Sequence, residues 1–420
     1  MSKAKEFIQK HGMEYNAIKI EEQIATYLDE MQKGLDGQES SLLMLPSYLQ
    51  LREDVQKNKK VICIDAGGTN LRIALTHFDD EGNFQMGKLE RQIMPGVKEA
   101  LDAQQFFDAL AGYIAHYCAK SKEIVMSFAY RAKSTPEIDA ELIEITKEVQ
   151  VKGEKGKQLG AEIKKSLEKM GVPGVKVIII NDSVATALAG KAERLNYGYG
   201  AFTGTILGTG SNSCYLESNA KIGKISGYPK DGVMVINTEA GSYSRLPRSD
   251  IDFGYDATTI HPEIGIAEKM TSGAYLGALC EYTLDTAADE GVFRTRGVKE
   301  ITNLTTRDVS EYLMDGSGII AEHMLSDEDD ENARELLQNI VLRAARVAAL
   351  QMAAVAEKSF KTNNKLCMTI EGTTYEKMPG LKEELHQVLM AYLRGRGYEP
   401  DIISIDHAVL KGCAIAGLSR

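Results

Sequence analysis

The sequence predicts an α/β protein whose core unit occurs twice, with both copies facing one cleft. Three observations carry this. The first is the run Val61-Ile62-Cys63-Ile64-Asp65-Ala66-Gly67-Gly68-Thr69-Asn70-Leu71-Arg72. An apolar strand meets a glycine pair, and then Leu71, Ile73 and Leu75 alternate with Arg72, Ala74 and Thr76 as a second, half-buried strand. The second is Thr205-Ile206-Leu207-Gly208-Thr209-Gly210-Ser211-Asn212, which has the same plan. A shift of 142 residues sets Gly68 on Gly210, Thr69 on Ser211 and Asn70 on Asn212. The third is Val175–Ile180, rich in β-branched residues and so predicted to be central in its sheet. It ends in Asn181-Asp182-Ser183 and opens a helix, which is where open α/β sheets place their sites.

Two adjacent glycines let a backbone approach a ligand and aim successive N–H groups at it, which suits phosphate. A glycine pair alone is more often an ordinary hairpin turn. Asp65 before the turn, Thr69 and Asn70 after it, and the second copy favour the phosphate reading.

At 420 residues the chain is long enough for two or three domain-sized units. Its 43% hydrophobic and 26% charged content is that of a globular protein, and the net charge of −11 argues against a general nucleic-acid or anionic-membrane binder. The six cysteines form no CxxC pair and read as buried thiols of a reducing compartment. The start, Met1-Ser2-Lys3-Ala4-Lys5-Glu6, has no apolar core for export, and no apolar run approaches the ~18 residues that span a bilayer. A cytoplasmic location is the expectation.

In order, residues 1–60 read as mostly helical, with Ile18, Ile20, Ile24, Tyr27, Leu28 and Met31 at near-helical spacing, until Met44-Leu45-Pro46 breaks the pattern. After the first glycine hairpin, Asp79–Asn83 is a turn into Phe84–Gln92. A helix over 98–119, a strand over Glu123–Phe128, a polar loop from Ser134 to Gly153 and a helix over 157–170 follow. Val184–Leu195 reads as a helix that Ser183 could cap. Tyr197–Gly204 is the expected hinge between halves. Beyond the second hairpin come a strand at Gly232–Ile236, a helix over 264–285 holding Glu268, a core helix over 335–359, a strand at Leu366–Ile370 and a small-residue helix at Ala408–Leu418.

No G-x-x-x-x-G-K-[ST] loop exists, and Gly208-Thr209-Gly210 leads into a strand, so neither a P-loop nor a Rossmann site fits. The seven histidines show no metal spacing. Asp182 is the sharpest chemical candidate, because a carboxylate at a strand end can take the proton of a hydroxyl that attacks phosphorus. Its competing role is a helix cap. Asn181, Asn212, Glu239 and Glu268 could hydrogen-bond a polyol, and Lys147 could steady a phosphate.

Taken together these segments resemble the hexokinases, the eukaryotic-type hexokinase and glucokinase group of the actin-like ATPase superfamily. Asp65–Arg72 resembles the family's first phosphate motif and Gly208–Glu217 its second. Ser127-Phe128 and Thr146-Lys147 resemble the sugar-loop segments, and Asn181–Thr186 the catalytic strand end. Asn237–Gly241 and Glu268–Gly277 continue in family order. Thr295-Arg296-Gly297 and Glu371-Gly372-Thr373-Thr374-Tyr375 resemble nucleotide-side segments, and Lys411–Ala416 the last, adenosine-side helix. Met44–Tyr48 matches the lead-in.

The resemblance implies an actin-like (ribonuclease H-like) duplicated α/β fold, two lobes around a cleft. Residues 61–189 with 408–420 would be the small lobe, and 1–60 with 190–407 the large one. It implies an ATP- and Mg²⁺-dependent hexose 6-phosphotransferase, a monomer or weak homo-oligomer with no nucleic-acid or membrane partner. Asp182 would be general base on the sugar 6-hydroxyl, with Lys147 near the transferred phosphoryl group. Ser127, Phe128, Thr146, Lys147, Asn181, Asn212, Glu239 and Glu268 would hold the hexose. Asp65 would organise Mg²⁺ through water. Gly67, Gly68, Thr69, Asn70 and Arg72 would grip phosphates from one side and Thr209 and Gly210 from the other, with Thr295, Gly372, Thr373, Lys411 and Gly412 along the nucleotide. Three departures touch the sugar shell. The family's Pro after Ser-Phe is Ala129, followed by Tyr130-Arg131; Trp-Thr-Lys-Gly-Phe reads Ile145-Thr146-Lys147-Glu148-Val149; and Trp-Gly after the sugar-side Glu is Ala240-Gly241 in a chain without tryptophan. Phosphotransfer is the expectation, with glucose, mannose, fructose or an amino sugar as acceptor. A non-catalytic sugar sensor and an actin-like ATPase without sugar acceptor are the rival readings.

Overall fold

The computed structural model describes residues 1–49, 55–145, 149–193 and 197–419. Helices α1 (Lys3–Lys10) and α2 (Ile20–Leu35) and strand β1 (Leu45–Pro46) open the chain. The first glycine hairpin then founds a sheet. Its arms are β2 (Val61–Gly67) and β3 (Asn70–Phe78), and β4 (Phe84–Met86) and β5 (Glu90–Ile93) pair antiparallel with β3. After β6 (Leu101–Asp102) and α3 (Ala103–Ile114), β7 (Glu123–Phe128) joins β2 in parallel. A small hairpin, β8 (Arg131–Ser134) and β9 (Ala140–Glu144), precedes β10 (Val151–Lys152), α4 (Leu159–Lys169) and β11 (Lys176–Ile180), which runs parallel to β7. Helix α5 (Asp182–Glu193) leads to the second half.

The second glycine hairpin repeats the pattern, with β12 (Ala201–Leu207) and β13 (Ser211–Ser218) as arms and β14 (Val233–Asn237) antiparallel beside β13. Helices α6 (Asp250–Thr258), α7 (Ile266–Thr271), α8 (Leu276–Asp289), α9 (Thr306–Asp315), α10 (Ile319–Glu322) and α11 (Asp327–Lys358) follow. Then β15 (Lys365–Glu371) adds in parallel to β12, and after α12 (Thr373–Lys377) and α13 (Leu381–Gly395), β16 (Glu399–Ile403) adds in parallel to β15. Helix α14 (Ala408–Leu418) ends the fold. The sheets share the orders β11-β7-β2-β3-β4 and β16-β15-β12-β13-β14, the same succession of antiparallel and parallel neighbours, with β5 also on β3 and β1 beyond β14. This is an actin-like duplicated α/β fold with two lobes, and the repeat is one of topology, not only of two short motifs.

Helices α5 and α14 lie between the sheets. One core cluster joins Val61, Cys63 and Val125 of the first sheet to Val184, Ala185 and Leu188 of α5, Val409, Cys413 and Ala414 of α14, and Phe202, Cys214 and Cys367 of the second. Small residues allow this close stacking. A Cβ on Gly412 would strike the Ala185 carbonyl, and one on Gly204 the Ser183 carbonyl. Overpacking such a contact costs about 1–3 kcal/mol. Gly412→Val is therefore expected to lower stability by at least that much, read as an earlier urea midpoint with an unchanged slope.

Several expectations need correction. Strand β11 is at the edge of its sheet, not central: the topology adds it last, beyond β7. Its apolar run reflects burial of Ile178, Ile179 and Ile180, and the Ile179 N–H donates to the Ile138 carbonyl, which partly covers that edge. Residues 134–153 are not simply a loop, since β9 pairs with β8 there. The helix over 264–285 is two helices, broken at Ser272–Tyr275 because Gly273 and Ala274 donate their N–H groups to Gly208 and Thr209 of the second hairpin loop. Helical structure near the start ends at Leu35. Gly204 is inside a strand, not a hinge loop. The cap of α5 is Asn181: its Oδ1 accepts the Ser183 N–H at 2.9 Å and hydroxyl at 2.6 Å, so Ser183 donates instead of capping. Helix α11 is long and apolar enough to span a bilayer, but 89% of that window is buried, which makes it the core helix the periodicity predicts.

Candidate functional site

A cleft of about 1110 Å³ runs between the two hairpins, lined by Asp65, Gly67, Gly68, Asn70 and Arg72 on one side and Gly208, Thr209, Gly210 and Asn212 on the other. Asn181, Asp182, Glu239, Glu268, Gly372 and Thr373 line the same space. The fold brings these residues together from distant parts of the chain because β2, β12, β11 and β15 all end there.

The first hairpin turns through Gly68 and Thr69, between paired Gly67 and Asn70. Gly68 has φ +63°, a conformation side chains rarely adopt. The second loop, Gly208–Gly210, is pinned by its carbonyls. Gly208 O accepts from Gly273 N at 2.7 Å and from the Thr374 hydroxyl at 2.9 Å, and Thr209 O from Ala274 N at 3.0 Å. Gly372 has φ +142°, and a Cβ there would strike the Leu207 carbonyl. Backbone therefore meets backbone at the second loop, while the Gly68 tip of the first stands open, with nothing within 4 Å of where a Cβ would lie.

Between the hairpins, Arg72 donates from Nε to Asp65 Oδ2 at 2.6 Å, pairs with it through a second nitrogen, and reaches Glu371 Oε1 at 3.5 Å. Burial pushes Asp65 above the usual carboxylate range and Glu371 up to about 7, with Arg72 opposing both shifts. The Glu371 Oε2 atom is buried and has no hydrogen-bond partner.

The acceptor side is a chain of amides and carboxylates. Asn212 Nδ2 donates to Asn237 Oδ1 at 2.8 Å and to Asn181 Oδ1 at 3.2 Å, and Asn237 Nδ2 donates to Glu239 Oε1 at 2.7 Å. Asn212 Oδ1 in turn accepts Ala240 N–H at 3.1 Å, which locks the segment after Glu239. Glu239 has a left-handed φ of +56°. Burial pushes its carboxyl up to about 7, Asn237 and Arg131 pull it down, and Glu268 and Asp182 push it up. A raised carboxyl binds its proton more tightly in the folded state, so its contribution to stability is present below about 4.5 and lost as pH rises towards 7. Glu239→Gln is therefore expected to make Tm less dependent on pH between about 4.5 and 7, as scanning calorimetry at stepped pH would register.

Not every expected residue lines the cleft. Phe128 is buried against Tyr130, and Ser127 is fully buried with an Oγ that has no hydrogen-bond partner. Thr69 faces its own hairpin, accepting from Asn70 Nδ2 at 3.0 Å. Thr295 accepts from Gly297 N at 2.9 Å, Lys411 pairs with Glu193, and Gly412 packs on α5. Thr146 and Lys147 lie outside the described residues. The cleft also holds His407, which was not expected there, Glu371, expected only as part of a nucleotide-side segment, and Tyr130 and Arg131, noted only as departures. Glu371 carried the same signal as Asp182, an acid closing an apolar strand. Among the described residues, no group of three or more His, Cys, Asp and Glu is arranged to hold a metal ion.

Comparison with known proteins bears on the whole chain. Two family models, both described as hexokinase, match residues 4–192 and 202–419. Hexokinase-1 of Schizosaccharomyces pombe is 26% identical over 394 residues, covering 86% of this chain and 79% of that protein. Hexokinase-2 of Equus caballus is 28% identical over 393 residues, covering 86% of this chain and 42% of that protein. Among solved structures, the hexokinase of Schistosoma mansoni complexed with glucose superposes with a TM-score of 0.83 at 21% identity, covering 99% of each chain. A ROK family glucokinase from Streptomyces griseus, in complex with glucose and AMPPNP, gives 0.50 at 15% identity over 85% of this chain and 98% of that one.

Proposed function

The chain belongs to the hexokinase family, a family of sugar kinases, and from that premise we propose that it transfers the γ-phosphoryl group of ATP to the 6-hydroxyl of glucose or a related hexose, with Asp182 as general base. The observation that carries this reading is that Asp182, both glycine loops and Asn181, Asn212 and Glu239, which buried Asn237 ties together, share one cleft.

Asp182 is the first residue of α5, beside the cap residue Asn181. A carboxylate there can take the hydroxyl proton as the oxygen attacks phosphorus. Asn212, Glu239 and Glu268 orient the sugar hydroxyls, since amides and carboxylates offer the acceptors and donors that hydroxyls pair with. Lys147 steadies the phosphoryl group and Thr146 the sugar. Gly67, Gly68 and Asn70 grip the phosphates from one lobe, and Thr209 and Gly210 from the other. The donor set also fits Mg²⁺: Asp65 stands at the mouth of the first loop, and Mg²⁺ takes one or two carboxylates plus phosphate oxygens instead of a protein cage. Bound there, the ion would neutralise charge on the phosphates. Residues 61–189 with 408–420 and 1–60 with 190–407 act as the closing lobes, which excludes water as a rival acceptor. The protein works in the cytoplasm as a monomer or weak homo-oligomer. Six buried cysteines, none of them in a disulfide, support the reducing location.

A coupled ADP-release assay with ATP, Mg²⁺ and a panel of glucose, mannose, fructose and glucosamine tests this. ADP release that depends on one or more of these sugars is expected. Sugar binding without turnover would support a sensor, and ATP hydrolysis indifferent to sugar would support an ATPase.

A further inference from the structure

The departure Ala129-Tyr130-Arg131 lies against the tip of the first phosphate loop. Tyr130 lines the cleft although it is only 4% exposed, and its ring packs on Phe128 with centroids 5.0 Å apart. Its hydroxyl donates a short hydrogen bond to the carbonyl of Gly68. The neighbouring Ala129 N–H donates to the Ala66 carbonyl at 3.2 Å, and on the far side of the tip the Thr69 carbonyl accepts from Met94 N at 2.9 Å.

A trans peptide is planar, so its C=O and the following N–H point in opposite directions. Holding the Gly68 carbonyl therefore aims the Thr69 N–H, and holding the Thr69 carbonyl aims the Asn70 N–H. Gly68 itself has φ +63° and little intrinsic preference for one orientation, so the aim must come from outside the loop. Of the two holds, the one on Thr69 comes from neighbouring backbone. The one on Gly68 comes from a side chain that stands between Phe128 and Arg131. Arg131 and Glu239 line the same cleft, and the Arg131 charge pulls the Glu239 carboxyl down.

We infer that Tyr130 is a positioning residue: its hydroxyl sets the amide direction of the first phosphate loop and links that loop to the segment bordering the acceptor site. This deepens the phosphotransfer reading and rests on it, in taking the anion at the loop to be a nucleotide's phosphate chain. Because the link joins two sites, a sugar that orders the acceptor side improves nucleotide grip, and the reverse holds by the same factor.

The test is Tyr130→Phe, which removes one oxygen and keeps the ring. Binding of Mg-AMP-PNP is measured by calorimetry with and without saturating glucose, and glucose binding is measured separately. Loss of one such hydrogen bond is expected to weaken AMP-PNP about five- to tenfold, to leave glucose affinity within about twofold, and to bring the nucleotide affinities with and without glucose together. Amide exchange over residues 66–70 is expected to quicken while the rest of β2 and β3 is unchanged. An unchanged AMP-PNP affinity, or equal weakening of both ligands, overturns the proposal. So does unchanged exchange at the tip in a variant too unstable for calorimetry. Failure of the wild-type chain to phosphorylate any sugar would sink the phosphotransfer reading instead, and the two failures are read in different assays.

Discussion

Asp182→Ala is expected to lower kcat at least about a thousandfold while nucleotide affinity stays within about twofold. General-base catalysis by a positioned carboxylate is worth about 10²–10⁴, and no other carboxylate stands at the start of α5. The helix does not need the Asp182 side chain for its start. Asn181 supplies the cap through its Oδ1, and its carbonyl accepts Ala185 N–H at 3.0 Å. The lost Asp182 Oδ1 contact to Ser183 N, at 2.9 Å, is shared with that cap. The stability cost is therefore about 1 kcal/mol or less, of the size of one N-terminal carboxylate on a helix. Steady-state turnover with AMP-PNP calorimetry checks both halves. A variant turning over at a near-normal rate would remove Asp182 from the reaction.

Arg72→Met is expected to lower kcat/KM for ATP at least about a hundredfold and to make stability more sensitive to pH. Arg72 is the cation between Asp65 and Glu371, and it lowers both against a burial cost that raises them. Without it both carboxyls shift further up. A raised carboxyl contributes stability that is present at low pH and lost as pH rises through its folded value. The Tm gap between wild type and variant should therefore widen from pH 5.5 to pH 8, as the stability difference grows to about 2 kcal/mol, below the ~3–5 kcal/mol of a fully buried pair. The discount follows from the 30% exposure of the Arg72 side chain. Arg72→Lys keeps the charge but not the fork, so it should recover the pH behaviour better than the activity. A Tm gap that stays flat with pH would contradict the role assigned to Arg72.

What could be read from residues alone follows physical range. The two glycine hairpins were legible because their signals are local: β-branched runs, a turn that needs glycine, and polar groups beside it. Asp182 was legible because a strand end opening a helix is a short-range pattern. The edge position of β11 was not, since a run buried on both faces looks the same wherever it falls in a sheet. The break between α7 and α8 was hidden too. It depends on Gly208 and Thr209, which lie more than sixty residues earlier and accept the N–H groups of Gly273 and Ala274. Tyr130 and Arg131 stood out only as departures from a pattern; the Tyr130 contact to Gly68 and the shared cleft of Arg131 and Glu239 are long-range facts. Gly412 shows the converse. The resemblance implied a nucleotide contact, and its packing against Ala185 gives it a structural reason to lack a side chain.

The central claim is that one cleft holds the acceptor hydroxyl against Asp182 while both glycine loops hold the phosphates. A crystal structure of the chain with Mg-AMP-PNP and the best sugar of the panel tests it most directly. The account predicts the sugar O6 within about 2.6–3.2 Å of the Asp182 carboxylate, with the triphosphate between Gly67–Asn70 and Gly208–Gly210. A sugar whose O6 turns away from Asp182, or a triphosphate touching only one of the two loops, would contradict it.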